Sequence, residues 1–181
     1  ACYVAHVPTG IESGEEFVLL VETREGERVE GRVTVPAEPS VLTPEPGAKI
    51  PTSTLPTGNI LVRWQNPAGN ELHLGFETDA PCISGVSPPG SFGFQSAMPV
   101  SAPDSMTVQL SANCETEWTR LEGRITLAAF DPGYGRYVRD ALANEWTTPE
   151  RAAVNLQGAL GVFAAVAAHE VPVVLERPQQ P

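Results

Sequence analysis

His6, His73 and His169, two serines set among small residues (Ser84 in CISGV, Ser91 in PGSFG) and a glycine pair at Gly158 and Gly161 are the positions that invite chemistry. The histidines are scattered along the chain and none sits in a metal-binding motif, so each reads as a surface or core side chain rather than a ligand. His73 in particular alternates against Leu72, Leu74 and Phe76, which puts it beside Glu71 on the face expected to meet solvent. Neither serine occupies G-x-S-x-G, the strained turn that exposes a hydrolase nucleophile. The run NLQGALGVF lacks both the third glycine of a dinucleotide loop and the Lys-Ser or Lys-Thr of a P-loop. It reads instead as a tight turn feeding a strand, where a side chain would clash. Dense glutamates (Glu12, Glu15, Glu16, Glu22, Glu25, Glu27, Glu30) would suit calcium, yet the ligand spacing of a calcium loop is missing, and a solvated rim is the expectation. No catalytic residue, metal site or cofactor site is expected, and the chain is read as a non-enzyme.

Aromatic and sulfur residues leave a few candidates for binding or modification. Trp118 and Trp146 are the candidates for stacking a sugar or small ligand, because Trp64 falls in a core pattern and Tyr134 and Tyr137 fall on one stripe of a helix. Cys82 and Cys114, with 31 residues between them, read as lying on neighbouring strands and form a candidate disulfide. No CxxC pair exists to suggest zinc. Ala1-Cys2 has the look of a lipoprotein cleavage point, which makes Cys2 a candidate for lipidation and a lipid anchor.

The totals narrow the partners. With 22 acidic residues against 11 basic ones, the formal charge is −11, which repels a phosphate backbone and argues against nucleic acid as a partner. The same sign disfavours anionic lipid headgroups. No apolar run approaches the roughly 20 residues of a spanning helix. The longest candidate, Val162 to Ala168, stops at His169 and Glu170, so no transmembrane span is expected. Length is sufficient for roughly two-thirds of the unfolded surface to be buried. The 18 prolines and 16 glycines suit short strands and turns.

Those strands are legible from their period. EFVLLVETREGERVEGRVTV alternates Phe17, Leu19, Val21 and then Val29, Val33, Val35 around a turn at Glu25-Gly26, as a half-exposed antiparallel hairpin does. A second hairpin is expected at NILVRWQNPAGNELHLGFET, with Ile60, Val62, Trp64 facing Leu72, Leu74, Phe76 across one sheet face. MTVQLSA and LEGRITLAAF resume the alternation. Proline-rich passages 36–56 and 81–103 read as long surface loops, the second with a short edge segment, unable to join central strands and therefore candidate interfaces. Asp131-Pro132 starts a helix carrying Tyr134, Tyr137, Val138, Ala141 and Leu142 on one stripe, laid across a sheet edge or end. Thr148-Pro149 offers a second, shorter start. The sum is one all-β antiparallel sandwich over residues 1–176, with one or two short inserted helices, a subdivision near 36–58 as the alternative, and a frayed tail at 177–181.

GIESGEEFVLLVETREGERVEGRVTVP resembles the pG-x-x-Y-x-L-x-V … dG … vP passage of an uncharacterised bacterial envelope lipoprotein family, number 4249 among the domains of unknown function. LEGRITLAAFDPGYGRYVRDALANE with NLQGALGVFAAV resembles that family's closing section, in which Asn155, Gly158, Gly161, Val162 and Phe163 keep the pattern and Ala159 replaces a usual Gly. Members usually carry an additional N-terminal sandwich after a lipidated Cys, so the resemblance covers the C-terminal portion and implies a shorter relative or a fragment. It implies immunoglobulin/fibronectin-like architecture, export to the periplasm, membrane-associated or cell surface, and no catalytic residues. The function expected is that of an accessory or scaffold subunit, working through protein–protein contacts with other envelope or membrane proteins at a membrane complex or the cell surface. A carbohydrate or small-ligand binding module is the alternative.

Overall fold

The computed structural model describes residues 10–51, 57–78, 83–85, 98–99, 104–112, 120–143, 156–158 and 162–176. Most of these residues are in strands, so the chain is all-β with a single helix among the described residues. In chain order the elements are β1 (Glu16–Glu22), β2 (Arg28–Thr34), β3 (Ser40–Thr43), β4 (Ala48–Pro51), β5 (Thr57–Gln65) and β6 (Glu71–Thr78). Then come β7 (Ile83–Gly85), β8 (Met98–Pro99), β9 (Ser105–Ala112), β10 (Arg120–Phe130), α1 (Pro132–Ala143), β11 (Leu156–Gln157) and β12 (Val166–Glu176). They form two compact units, one from residues 1–37 with 131–166, the other from 38–130 with 167–181.

The first unit holds a three-stranded sheet in the order β1-β2-β11. β1 and β2 make the hairpin that the alternation anticipates, with Phe17 opposite Val33, Val21 opposite Val29 and Glu22 opposite Arg28. Thr23 N donates to Glu27 O at 2.9 Å and Gly26, at φ 81°, carries the bend. β11 joins the far side of β2 through Leu156 opposite Gly31. Gly158, just beyond it, takes a left-handed backbone at φ 86°, as a turn requires, and β12 is the next strand among the described residues; Gly161 lies outside them.

α1 begins where Asp131 and Pro132 place it. Asp131 Oδ1 accepts from the amides of Gly133 (2.8 Å) and Tyr134 (3.2 Å), two of the donors that a helix start leaves without internal partners. Its other oxygen accepts from Ala165 N at 3.0 Å, while Asp131 N donates to Ala165 O at 3.2 Å. One buried carboxylate thus caps the helix and ties it to the segment entering β12.

The second unit contains a four-stranded sheet, β3-β5-β9-β7, and a five-stranded sheet, β4-β12-β10-β6-β8. Most pairings are antiparallel; β4 runs parallel to β12, with Val173 opposite Ala48. Ile60, Val62 and Trp64 from the first sheet and Leu72, Leu74, Phe76, Ile125, Leu127, Ala129, Val171, Val173 and Leu175 from the second make one buried cluster. At roughly 1.5–3 kcal/mol for each large apolar side chain removed from water, this shared core is what holds the two sheets.

Two expectations change here. β5 and β6 are not a hairpin: β5 pairs with β3 and β9, whereas β6 pairs with β10 and β8. The Asn66–Asn70 turn, closed by Asn66 Nδ2 to Asn70 O (2.7 Å) and Asn70 N to Asn66 Oδ1 (3.1 Å), is a corner between layers. Period two reports which face is buried, not which strand lies alongside, so two apolar rows facing across a core look the same in sequence as two rows side by side. Nor is passage 36–56 simply a loop, since it supplies β3 to one sheet edge and β4 to the other. Prolines exclude it from the middle of a sheet but not from an edge. Passage 81–103 carries two short edge strands, β7 and β8, where one short edge segment is expected.

Candidate functional site

Several sequence candidates lie outside the described residues: Cys2, Cys82, Cys114, Trp118 and Trp146, together with His6, Ser91 and the helix start at Thr148. Ser84 falls on β7. Trp64 is core, as expected, and Tyr134 and Tyr137 are half-buried on α1 with ring centroids 6.2 Å apart. Burial, with Tyr137 beside it, pushes the Tyr134 hydroxyl above its ordinary pKa.

His73 is not on a solvated face. It is 6% exposed, and β6 is buried on both faces from Leu72 to Phe76. The alternation misleads because β6 lies inside its sheet, flanked by β10 and β8, where the neighbouring Ala128 and Phe130 are also buried. Desolvation lowers the His73 pKa from its ordinary 6.5 to about 4, so the ring is neutral at pH 7. Its Nε2 is buried and has no hydrogen-bond partner among the described residues, a condition shared with Trp64 Nε1. His169 is placed differently, 3.4 Å from Glu38 Oε1 at the surface.

At the Gly47 end of the five-stranded sheet is an open cleft of about 340 Å³. Gly47, Glu77, Glu122, Arg124, Pro172 and Val174 contribute to its lining. Arg124 stands opposite Glu77 across β10 and β6 and is 3.2 Å from Glu170 Oε2 on β12. This is a row of alternating charge on a wet face, where each pair is worth at most about 1 kcal/mol. The cleft has the character of a solvated groove. The alternation in LEGRITL marks Glu122 and Arg124 as outward-facing, but the pairing with Glu170 is long-range and has no local signal.

Among the described residues, no group of three or more His, Cys, Asp or Glu side chains converges as a metal site would need. No helix among them is long and apolar enough to cross a membrane.

The most distinctive surface is β1. Phe17, Leu19 and Val21 share a face with Val33, while Val18 and Leu20 share the other with Arg32 and Glu30. Val18, Leu20 and Val21 are 52%, 58% and 41% exposed. The signal was legible, since FVLLV is an unbroken apolar run and a half-buried strand should alternate. Val35 N donates to Glu15 O and Thr23 N to Glu27 O, both at 2.9 Å, so the odd-numbered positions exchange hydrogen bonds with β2. Amides and carbonyls of Glu16, Val18, Leu20 and Glu22 therefore point to the other edge. Among the described residues nothing pairs there. The ion pairs of this hairpin sit on its outer face, Arg32 with Glu16 at 3.1 Å and Arg28 with Glu30 at 3.4 Å. No protein-family model matches the chain, and no curated protein sequence matches it.

Proposed function

We propose that this chain is a non-catalytic, exported cell-envelope protein that serves as an accessory or scaffold subunit through contacts with other envelope or membrane proteins. The observation that carries the reading is the display of Val18, Leu20 and Val21 on an edge strand, a surface suited to contact rather than to chemistry. β3 and β4 add further edges in the second unit, and Leu42 on β3 is exposed. We read that unit as an immunoglobulin-like sandwich, on the support of two sheets sharing one core. Export and envelope location rest on the resemblance of residues 10–36 and 121–166 to the envelope lipoprotein family. A lipid on Cys2 and a bond between Cys82 and Cys114 belong to the same proposal.

The test is purification of the native protein from its source membrane in mild detergent after mild crosslinking. Stoichiometric recovery with a defined envelope protein is the expected result. Recovery as a lone monomer overturns the subunit reading, and a saturable glycan-induced change in tryptophan fluorescence, lost in Trp118→Ala, would replace it with a ligand-binding one.

A further inference from the structure

We propose that the open edge of β1 is a docking site for an extended segment of another protein, apolar at its centre and carrying Lys or Arg at both ends. The segment adds as a further strand to the β1-β2-β11 sheet. This rests on the contact reading above and specifies its mode. Backbone groups of Val18 and Leu20 supply donors and acceptors for the incoming strand, and their side chains, with Val21, supply apolar contact. Because apolar groups are exposed on both faces of β1, the matching segment is apolar over consecutive positions rather than on one face only.

Charge selects the occupant. Glu12, Glu15 and Glu16 lie at one end of the apolar run and Glu22, Glu25 and Glu27 at the other, with Arg24 the basic residue in that turn. A second copy of the chain, paired so that the apolar runs coincide, meets acid with acid in either direction. Antiparallel pairing centred on Leu19 places Glu16 against Glu22, and parallel in-register pairing places each glutamate against itself. Like charges directly opposite destabilise a strand pair. A segment with basic ends meets carboxylates at both.

The test uses the full chain and a capped peptide with consecutive valines at its centre flanked by paired lysines, with a glutamate-flanked peptide of the same centre as control. The lysine peptide is expected to bind saturably, about tenfold or more tighter than the control at low salt, with the gap narrowing as salt rises. Amide hydrogen exchange at Val18 and Leu20 is expected to slow on binding, while Leu19, already bonded to β2, changes little. Leu20→Lys, at an exposed position, should leave the fold intact and weaken the lysine peptide by about tenfold. Equal binding of both peptides overturns the proposal, as does unchanged exchange at Val18 and Leu20. So does protection of those amides in the chain alone, which would mean that residues 1–9 or a second copy fill the edge. A native partner retained undiminished by Leu20→Lys sinks this edge but leaves the subunit reading standing. A lone native monomer that still binds the lysine peptide does the reverse.

Discussion

His73 on β6 meets Phe130 on β10 edge to face, with ring centroids 4.6 Å apart and planes at 66°. The imidazole acts here as a small aromatic of the interior, and its neutrality is a condition of the packing.

Stability should accordingly fall in mild acid. The folded pKa of His73, about 4, lies below the ordinary 6.5, so between those values the unfolded chain binds the proton that the folded one refuses. The contribution is full above pH 6.5 and is lost as pH falls towards 4, amounting to about 3 kcal/mol over that window. Urea unfolding followed at pH 7 and pH 4.5 checks this against His73→Leu, in which the pH dependence from this source disappears. An unchanged slope in the variant would show that other groups carry it.

Gly158 and Gly26 both adopt left-handed backbone, at φ 86° and 81°, yet they should respond differently to alanine. A Cβ at Gly26 meets open space, whereas one at Gly158 runs into the backbone carbonyl of Arg28 on β2. Gly26→Ala is expected to cost about 1 kcal/mol from its dihedral alone. Gly158→Ala should cost about 2–3 kcal/mol, because the chain must also move away from β2. Chemical denaturation of the pair measures the difference, and equal losses would mean that β11 yields without resistance.

Asp131 joins two roles that substitution can separate. Asp131→Ala removes the cap on α1 and the acceptor for Ala165 N, with an expected loss of about 2–3 kcal/mol. Asp131→Asn keeps one oxygen for Gly133 and Tyr134 but turns an NH2 group towards Ala165 N–H, so it should recover only the capping part, about 1 kcal/mol. Helix content by circular dichroism and amide exchange at Ala165 distinguish the two, since Asn restores the first and not the second.

Where local rules suffice, the sequence was a reliable guide. The β1–β2 hairpin, with its turn at Glu25-Gly26, follows from alternation and a residue able to take left-handed backbone. The start of α1 follows from Asp131 as cap and Pro132 at the first helical position. The turn at Gly158 follows from the lack of any phosphate-binding context. Core membership of Trp64, Leu72, Leu74 and Phe76 was equally visible, because burial of one strand face leaves a period of two.

Sequence alone therefore determined the all-β class, the helix start, most of the buried positions and the acidic surface, because these depend on neighbours within a few residues or on sums over the chain. Tertiary structure alone decided that β5 and β6 belong to different sheets, that the proline-rich passage ends as two edge strands, and that His73 is enclosed on both sides. It also decided that Val18 and Leu20 are left at an edge with outward-pointing backbone. The physical reason is common to all four: strand pairing and burial on a sheet's second face are set by residues remote in the chain, through hydrogen bonds and packing that leave no local period behind.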